Sequence, residues 1–273
     1  MSYKTILVHL DDGARRAERL QVGFNLASSF DAHLVALFAL DAAYIPSYAL
    51  AEGASMMQEI ERRRRKETAA QAESEFRHAE RRAGGKAEWR LSMDGALTAV
   101  SLSARYADLV VAAQPEPEDA RAKAFAGELV LSVGRPVLFV PYAGRFQSVG
   151  KRILVAWNAS REAARAVSDA LPLLARAESV ELVAFDPASA DHGEVPAADV
   201  ALYLARHGVK ASAARQSAPG LDIGAQILSR AADTGAELVV MGGYGHSRLR
   251  ELVLGGATRS MLEAMTVPVL MSH

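Results

Sequence analysis

Glu237-Leu-Val-Val-Met-Gly-Gly-Tyr-Gly-His-Ser-Arg-Leu-Arg-Glu-Leu-Val-Leu-Gly-Gly-Ala-Thr258 is the stretch from which the rest of the chain can be read. It opens with an apolar run, Leu238 to Met241, that reads as a buried strand. Gly242, Gly243 and Gly245 follow at once, and Gly255-Gly256 closes the connection. From Ala257 to Met265 the spacing is helical, with Met261, Leu262 and Met265 on one face. Glycines lacking a Cβ let backbone N–H groups converge on a ligand, and a helix N-terminus aimed at the same point adds partial positive charge. The same glycines could instead serve only tight turns after a strand. Two clusters bracketing one connection, the second opening a helix, keep a phosphate-binding reading open beside the turn reading.

Working outward, the apolar run recurs. Asp108-Leu-Val-Val-Ala112 matches Glu237-Leu-Val-Val-Met241, and Arg135-Pro-Val-Leu-Phe-Val140 matches Val267-Pro-Val-Leu-Met271. Near the start, Lys4-Thr-Ile-Leu-Val-His-Leu-Asp-Asp12 matches Lys151-Arg-Ile-Leu-Val-Ala-Trp-Asn-Ala159, and at the same offset Leu34–Phe38 matches Glu181–Phe185. Four strand-like segments in the same order make the chain a tandem duplication. The expected division is 1–141, a linker over 142–150, and 151–273. In the first half, strands Ile6–Leu10, Leu34–Ala39, Ala87–Leu91, Leu109–Ala112 and Val137–Val140 alternate with helices. The helices are expected near Ala14–Phe30, Ser55–Ala83, Ala96–Tyr106 and Ala124–Ser132. Such alternation argues for α/β architecture with a parallel sheet covered on both faces, and for ligands beyond the C-terminal strand ends.

The bulk numbers exclude several classes. The 273 residues are half hydrophobic with a net charge of -1, so no basic balance points to nucleic acid. Absence of cysteine removes disulfides and thiolate metal sites. The first residues do not read as a signal peptide and no run reaches transmembrane length, so the default expectation is a cytoplasmic protein with no membrane partner. The basic run Arg62–Lys66 is interleaved with acids and reads as a solvated helix face; Asp191, His192 and Glu194 read as a polar loop rather than a metal site.

Together these features resemble the universal stress protein family in its tandem two-domain form. The family's pattern is Gly, two residues, Gly, nine residues, Gly, then Ser or Thr; Gly242, Gly245 and Gly255 match, and Gly256 stands at the hydroxyl position. The family's Val-x-x-Asp-x-Ser after the first strand reads Val155-Ala-Trp-Asn-Ala-Ser160, with Asn158 in place of the acid. The resemblance implies two doubly wound five-stranded parallel-sheet domains of the adenine-nucleotide α-hydrolase-like type, paired through their last strands as an intrachain pseudo-dimer. It also implies ATP, with or without Mg²⁺, as the ligand of the second half. Phosphate contacts would come from Gly242, Gly245, Gly255 and Gly256, with His246 and Ser247 as further candidates. Ala156 and Asn158 would contact the nucleoside, with Val183 and Met241 packed beside it. Thr258, Ser260 or Ser247 could replace the missing hydroxyl.

The first half has no glycine loop after its fourth strand. Pro115 and Pro117 remove donors there, and Glu116, Glu118 and Asp119 repel phosphate. This half is expected to be structural, with Asp11 and Asp12 as turn or helix-cap residues. No nucleophile–base pair, paired carboxylates or metal cluster converges in sequence, so no catalytic residue is assigned. The expectation is a nucleotide-binding stress-response regulator with a protein partner, and homodimerisation is left open. A scaffold that binds no nucleotide and a slow ATPase are the alternatives.

Overall fold

The recurring apolar runs become the inner strands of one sheet, because strands buried on both faces must be hydrophobic throughout. The computed structural model describes residues 2–41, 54–185, 197–217, 220–244 and 256–273. The first half runs β1 (Thr5–Leu10), α1 (Arg16–Phe30), β2 (His33–Phe38), α2 (Ala54–Ala83), β3 (Ala87–Leu91), α3 (Ala96–Ala104), β4 (Leu109–Ala113), α4 (Ala120–Ser132) and β5 (Val137–Val140). The second runs β6 (Arg152–Trp157), α5 (Arg161–Leu174), β7 (Ser179–Phe185), α6 (Ala198–Arg206), β8 (Ala211–Gln216), α7 (Ile223–Thr234), β9 (Leu238–Gly242), α8 (Gly256–Ala264) and β10 (Val269–Ser272). Asp191, His192 and Glu194 lie outside the described residues.

The strands form a single ten-stranded sheet in the order β3-β2-β1-β4-β5-β10-β9-β6-β7-β8. Each half is parallel and doubly wound, and the halves join where β5 and β10 pair antiparallel. Val269 pairs with Phe139 and Met271 with Val137, symmetrically about Leu270–Leu138. Since Leu138 and Leu270 are repeat equivalents, a pseudo-two-fold axis passes between them. The expected intrachain pseudo-dimer is therefore realised as one continuous sheet.

Two apolar layers cover the sheet, and each runs through both halves. One holds Phe24, Phe76, Val167 and Leu204 against Ile6, Val8, Ile153 and Val155. The other holds Leu129, Ile227, Met261 and Leu262 against Leu7, Val110, Leu154 and Val239. Polar contacts lock the join. Tyr3 Oη donates to the Asp169 carbonyl at 2.7 Å, and the Arg176 guanidinium lies 4.3 Å from the Phe30 ring centre. Buried Gln114 donates to the Leu262 carbonyl at 3.1 Å and accepts from the Tyr142 N–H at 3.1 Å.

Local differences from expectation have plain causes. Helix α4 begins at Ala120, four residues before the expected start, because Asp119 caps it by accepting from the N–H groups of Arg121 and Ala122. Helix α1 begins at Arg16 behind Arg15, which makes no side-chain cap bond, so the cap role expected of Asp11 or Asp12 is not taken. Asp11 instead accepts from the Gly13 N–H, the turn role, and Asp12 pairs with Arg64 of α2.

Candidate functional site

In a doubly wound sheet the strand order reverses beside the first strand of each unit, and the carboxyl ends there leave a crevice. The second-half crevice lies between β6 and β9, where Ala156 and Met241 are register partners. Its cavity of about 140 Å³ is lined by Ala156, Asn158, Met241, Gly242 and Gly256, together with Trp157, Phe185, Ile223, Ile227, Ala257 and Thr258. Five expected site residues are thus brought together. Val183 is fully buried within the sheet; Phe185, two residues further along the same face of β7, takes the place at the wall. Gly245, His246, Ser247 and Gly255 lie outside the described residues.

The glycines at this crevice have different tasks. A Cβ on Gly242 would stand 2.5 Å from the Ala163 backbone nitrogen and 2.7 Å from the Glu162 carbonyl carbon. Gly242 therefore lets the end of β9 touch the first turn of α5, a packing role. A Cβ on Gly243 would meet Val130 Cγ1 of α4 at 2.7 Å, so this glycine serves the join between halves. Gly256 is exposed and opens α8, and among the described residues a Cβ there would meet Asp222 Oδ1 at 3.6 Å, an ordinary contact. Packing among the described residues does not demand glycine at position 256.

Asn158 forms a tight turn into α5. Its Oδ1 accepts from the Ser160 N–H at 3.2 Å, Ala159 adopts φ 56°, and Ser160 caps the helix by accepting from the Ala163 N–H. The Asn158 carboxamide N–H₂ remains as the donor end. Thr258 is buried, and its Oγ1 accepts from the Tyr244 N–H at 3.1 Å, while the hydroxyl keeps its own hydrogen to donate. Burial pushes the Tyr244 phenol up to about 12. Below the crevice, burial raises the Glu162 carboxyl, but its bond to Arg161, a backbone N–H and nearby His273 outweigh that and hold it below the usual range. Asp222, the cap of α7, was not anticipated; an Asp immediately before an apolar-periodic run is the signal that marks it.

The first-half crevice is built differently at equivalent positions. His9 stands where the second half has Ala156, and Asp11 where it has Asn158. His9 Nε2 lies 3.1 Å from the Ala39 carbonyl, and its ring packs on Phe125 at 4.9 Å. Burial lowers the His9 pKa below its ordinary value. Burial also works to raise the Asp11 carboxyl, but ion pairing with buried Arg19, nearby His9 and the Gly13 N–H hold it down at about 2. At the start of α4, Asp119 already accepts the N–H groups that a phosphate would otherwise take. The cavity here measures about 330 Å³, and its charged lining includes Asp11, Asp12 and Arg15 of the turn after β1, Arg19 of α1, Glu61, Arg64 and Arg65 of α2, and Glu116, Asp119 and Arg121 around the start of α4. Among the described residues no group of three or more His, Asp or Glu could hold a metal ion, and no helix is long and apolar enough to cross a membrane.

Residues 150–273 match the model of the Universal stress protein family. Over its full length the chain is similar to a universal stress protein from Archaeoglobus fulgidus DSM 4304, at 15% identity and a TM-score of 0.73, covering 98% of this chain and 95% of the other. It is also similar to a universal stress protein structure from Pseudomonas aeruginosa UCBPP-PA14, at 14% identity and a TM-score of 0.58, covering 99% of this chain and 93% of the other. At these identities the likeness is one of fold. The curated proteins contain no match to the chain.

Proposed function

We propose that this chain, whose residues 150–273 belong to the universal stress protein family, binds an adenine nucleotide in its second half and acts as a cytoplasmic stress-response regulator. The two functional units are 1–141 and 151–273, joined by 142–150. The observation that carries the reading is the contrast between equivalent helix starts. The N-terminus of α8 opens at exposed, side-chain-free Gly256 beside the cavity where Ala156, Asn158 and Met241 converge. Its counterpart, α4, is closed by Asp119.

Fit is good at the nucleoside end. Ala156 and Met241 offer an apolar wall for a flat ring, and the Asn158 amide can donate to ribose hydroxyls. The phosphate end offers the first N–H groups of α8 and the Thr258 hydroxyl. Asp222 near Gly256 works against it, because its carboxylate repels phosphate. That same carboxylate favours the second reading, a partner-binding scaffold that takes no nucleotide. Were Mg²⁺ to accompany the nucleotide, Asp222 would be the carboxylate available to hold it, and the ion would supply charge that offsets this repulsion.

Calorimetric titration of the full chain with ATP, with and without Mg²⁺, tests the reading on wild type and on Ala156→Phe, which fills the crevice. Saturable binding lost in the variant supports the nucleotide site. Absence of heat in the wild type, or binding unchanged in Ala156→Phe, overturns it in favour of the scaffold.

A further inference from the structure

Several helices of this chain answer their surface charges internally: Glu59 pairs with Arg62, Arg165 with Asp169 and Arg259 with Glu263. The outer face of α3 and α4 departs from that pattern. Glu128 of α4, Arg105 just after α3 and Arg135 just after α4 are exposed, with no ion pair among the described residues. The same face carries Leu102, Tyr106 and Leu131, which are 53%, 76% and 49% exposed. The two helices adjoin here. Ser101 Oγ lies 3.0 Å from Ser132 Oγ, and the Arg135 guanidinium donates to the Arg105 carbonyl at 3.3 Å. Single exposed leucines need no explanation, but three large apolar side chains grouped with unpaired charges mark an interaction surface.

The repeat supplies an internal control. With Arg135-Pro-Val-Leu aligned on Val267-Pro-Val-Leu, Leu131 corresponds to Glu263 and Arg135 to Val267. In the second half Glu263 pairs with Arg259 along α8, an ordinary solvated face. The fold therefore does not need leucine at 131 or arginine at 135.

Charge selects the occupant. Glu128 lies one turn before Leu131, and Arg135 lies four residues beyond it, past the helix end. A two-fold axis at Leu131 exchanges the two ends and brings each Glu128 towards the partner's Arg135. A second copy thus answers both signs at once. An acidic peptide would set like charge against Glu128. An anionic membrane would do the same, and two arginines fall short of the roughly four to eight basic residues usual for anionic lipid.

We propose that α3 and α4 form an isologous docking surface for a second copy of this chain. Leu131 packs at the axis, Leu102 and Tyr106 widen the apolar centre, and two Glu128–Arg135 pairs, each with Arg105 beside it, form the rim. With three apolar side chains from each copy at its centre, the contact belongs to the smaller, transient class of interfaces, and the dimer is reversible. The inference does not rest on nucleotide binding in the second half.

Sedimentation velocity of the full chain from about 1 to about 300 μM tests it, a span that brackets a micromolar Kd. The wild type should pass reversibly from monomer to dimer. Leu131→Glu, with the side chain the second half already carries at the equivalent position, should weaken dimerisation at least roughly tenfold. Glu128→Arg and Arg135→Glu should each do the same, because each sets like charges across the axis; combined in one chain they should restore the dimer. Circular dichroism confirms that each variant is folded. A wild type that stays monomeric throughout, a dimer indifferent to Leu131→Glu, or a double reversal no better than its singles would each overturn the proposal. Cosedimentation of a monomeric wild type with phosphatidylserine vesicles would also overturn it, in favour of a membrane.

Discussion

Replacing Asp11 by Asn should destabilise the chain more than replacing its partner Arg19 by Met. Arg19 is 2% exposed, whereas the Asp11 side chain keeps 27% exposure and a second bond to the Gly13 N–H. Asp11→Asn strands a buried guanidinium, a change that typically costs about 3–5 kcal/mol. Arg19→Met leaves a carboxylate that still reaches water and the Gly13 N–H, so its cost should be smaller, ~1–2 kcal/mol. The double variant should recover much of the loss, because the second half carries Asn158 and Ala166 at the equivalent positions and folds without the pair. Linkage gives an independent check. The Asp11 carboxyl lies at about 2 against an ordinary 3.8. At about 1.4 kcal/mol per pH unit, that gap amounts to roughly 2 kcal/mol. A lowered carboxylate pKa contributes stability above pH 4 that is lost as pH falls towards 2. Urea unfolding at neutral pH, and thermal unfolding between pH 2 and pH 6, would be followed by circular dichroism. The reasoning is refuted if Asp11→Asn costs less than Arg19→Met, or if the double variant is the sum of the singles.

Further outcomes follow from the same geometry. Gly242→Ala should cost at least about 2 kcal/mol in unfolding experiments, because its Cβ meets backbone of α5 that cannot move aside, whereas Gly256→Ala should change stability by less than about 1 kcal/mol. Gln114→Leu should lower stability by about 1–3 kcal/mol, since the Leu262 carbonyl and the Tyr142 N–H lose their shared partner; denaturant titration measures it. His9 has a folded pKa below its ordinary 6.5, so stability should be complete above pH 6.5 and decline as the pH falls below it. His9→Phe should flatten that part of the curve, seen as a smaller change in melting temperature from pH 7 to pH 5.

The sheet was legible because its inner strands are buried on both faces. Leu238–Met241 is apolar without interruption, Ile6–Leu10 is broken only by buried His9, and repetition at a fixed offset shows which strands correspond. Helix ends were less legible where a side chain decides them, as Asp119 does for α4. Within the site, Val183 had the right face of β7 but the wrong depth: side chains two apart point the same way, and only the packed structure shows that Phe185 reaches the crevice. The glycines were equally opaque. A sequence shows a missing Cβ, not whether α5, the join between halves or a ligand needs its absence, and Gly242, Gly243 and Gly256 divide on that point. The Asp11–Arg19 pair was hidden because its two residues also fit a turn and a helix face.

Methyl-labelled methionine spectra of the full chain test the nucleotide site most directly. Among the eight methionines, Met241 lines the second-half crevice. Addition of ATP with Mg²⁺ should shift the Met241 methyl saturably, while the exposed Met56 and Met93 methyls stay in place. A Met241 signal that does not move at millimolar ATP would contradict nucleotide binding at this crevice.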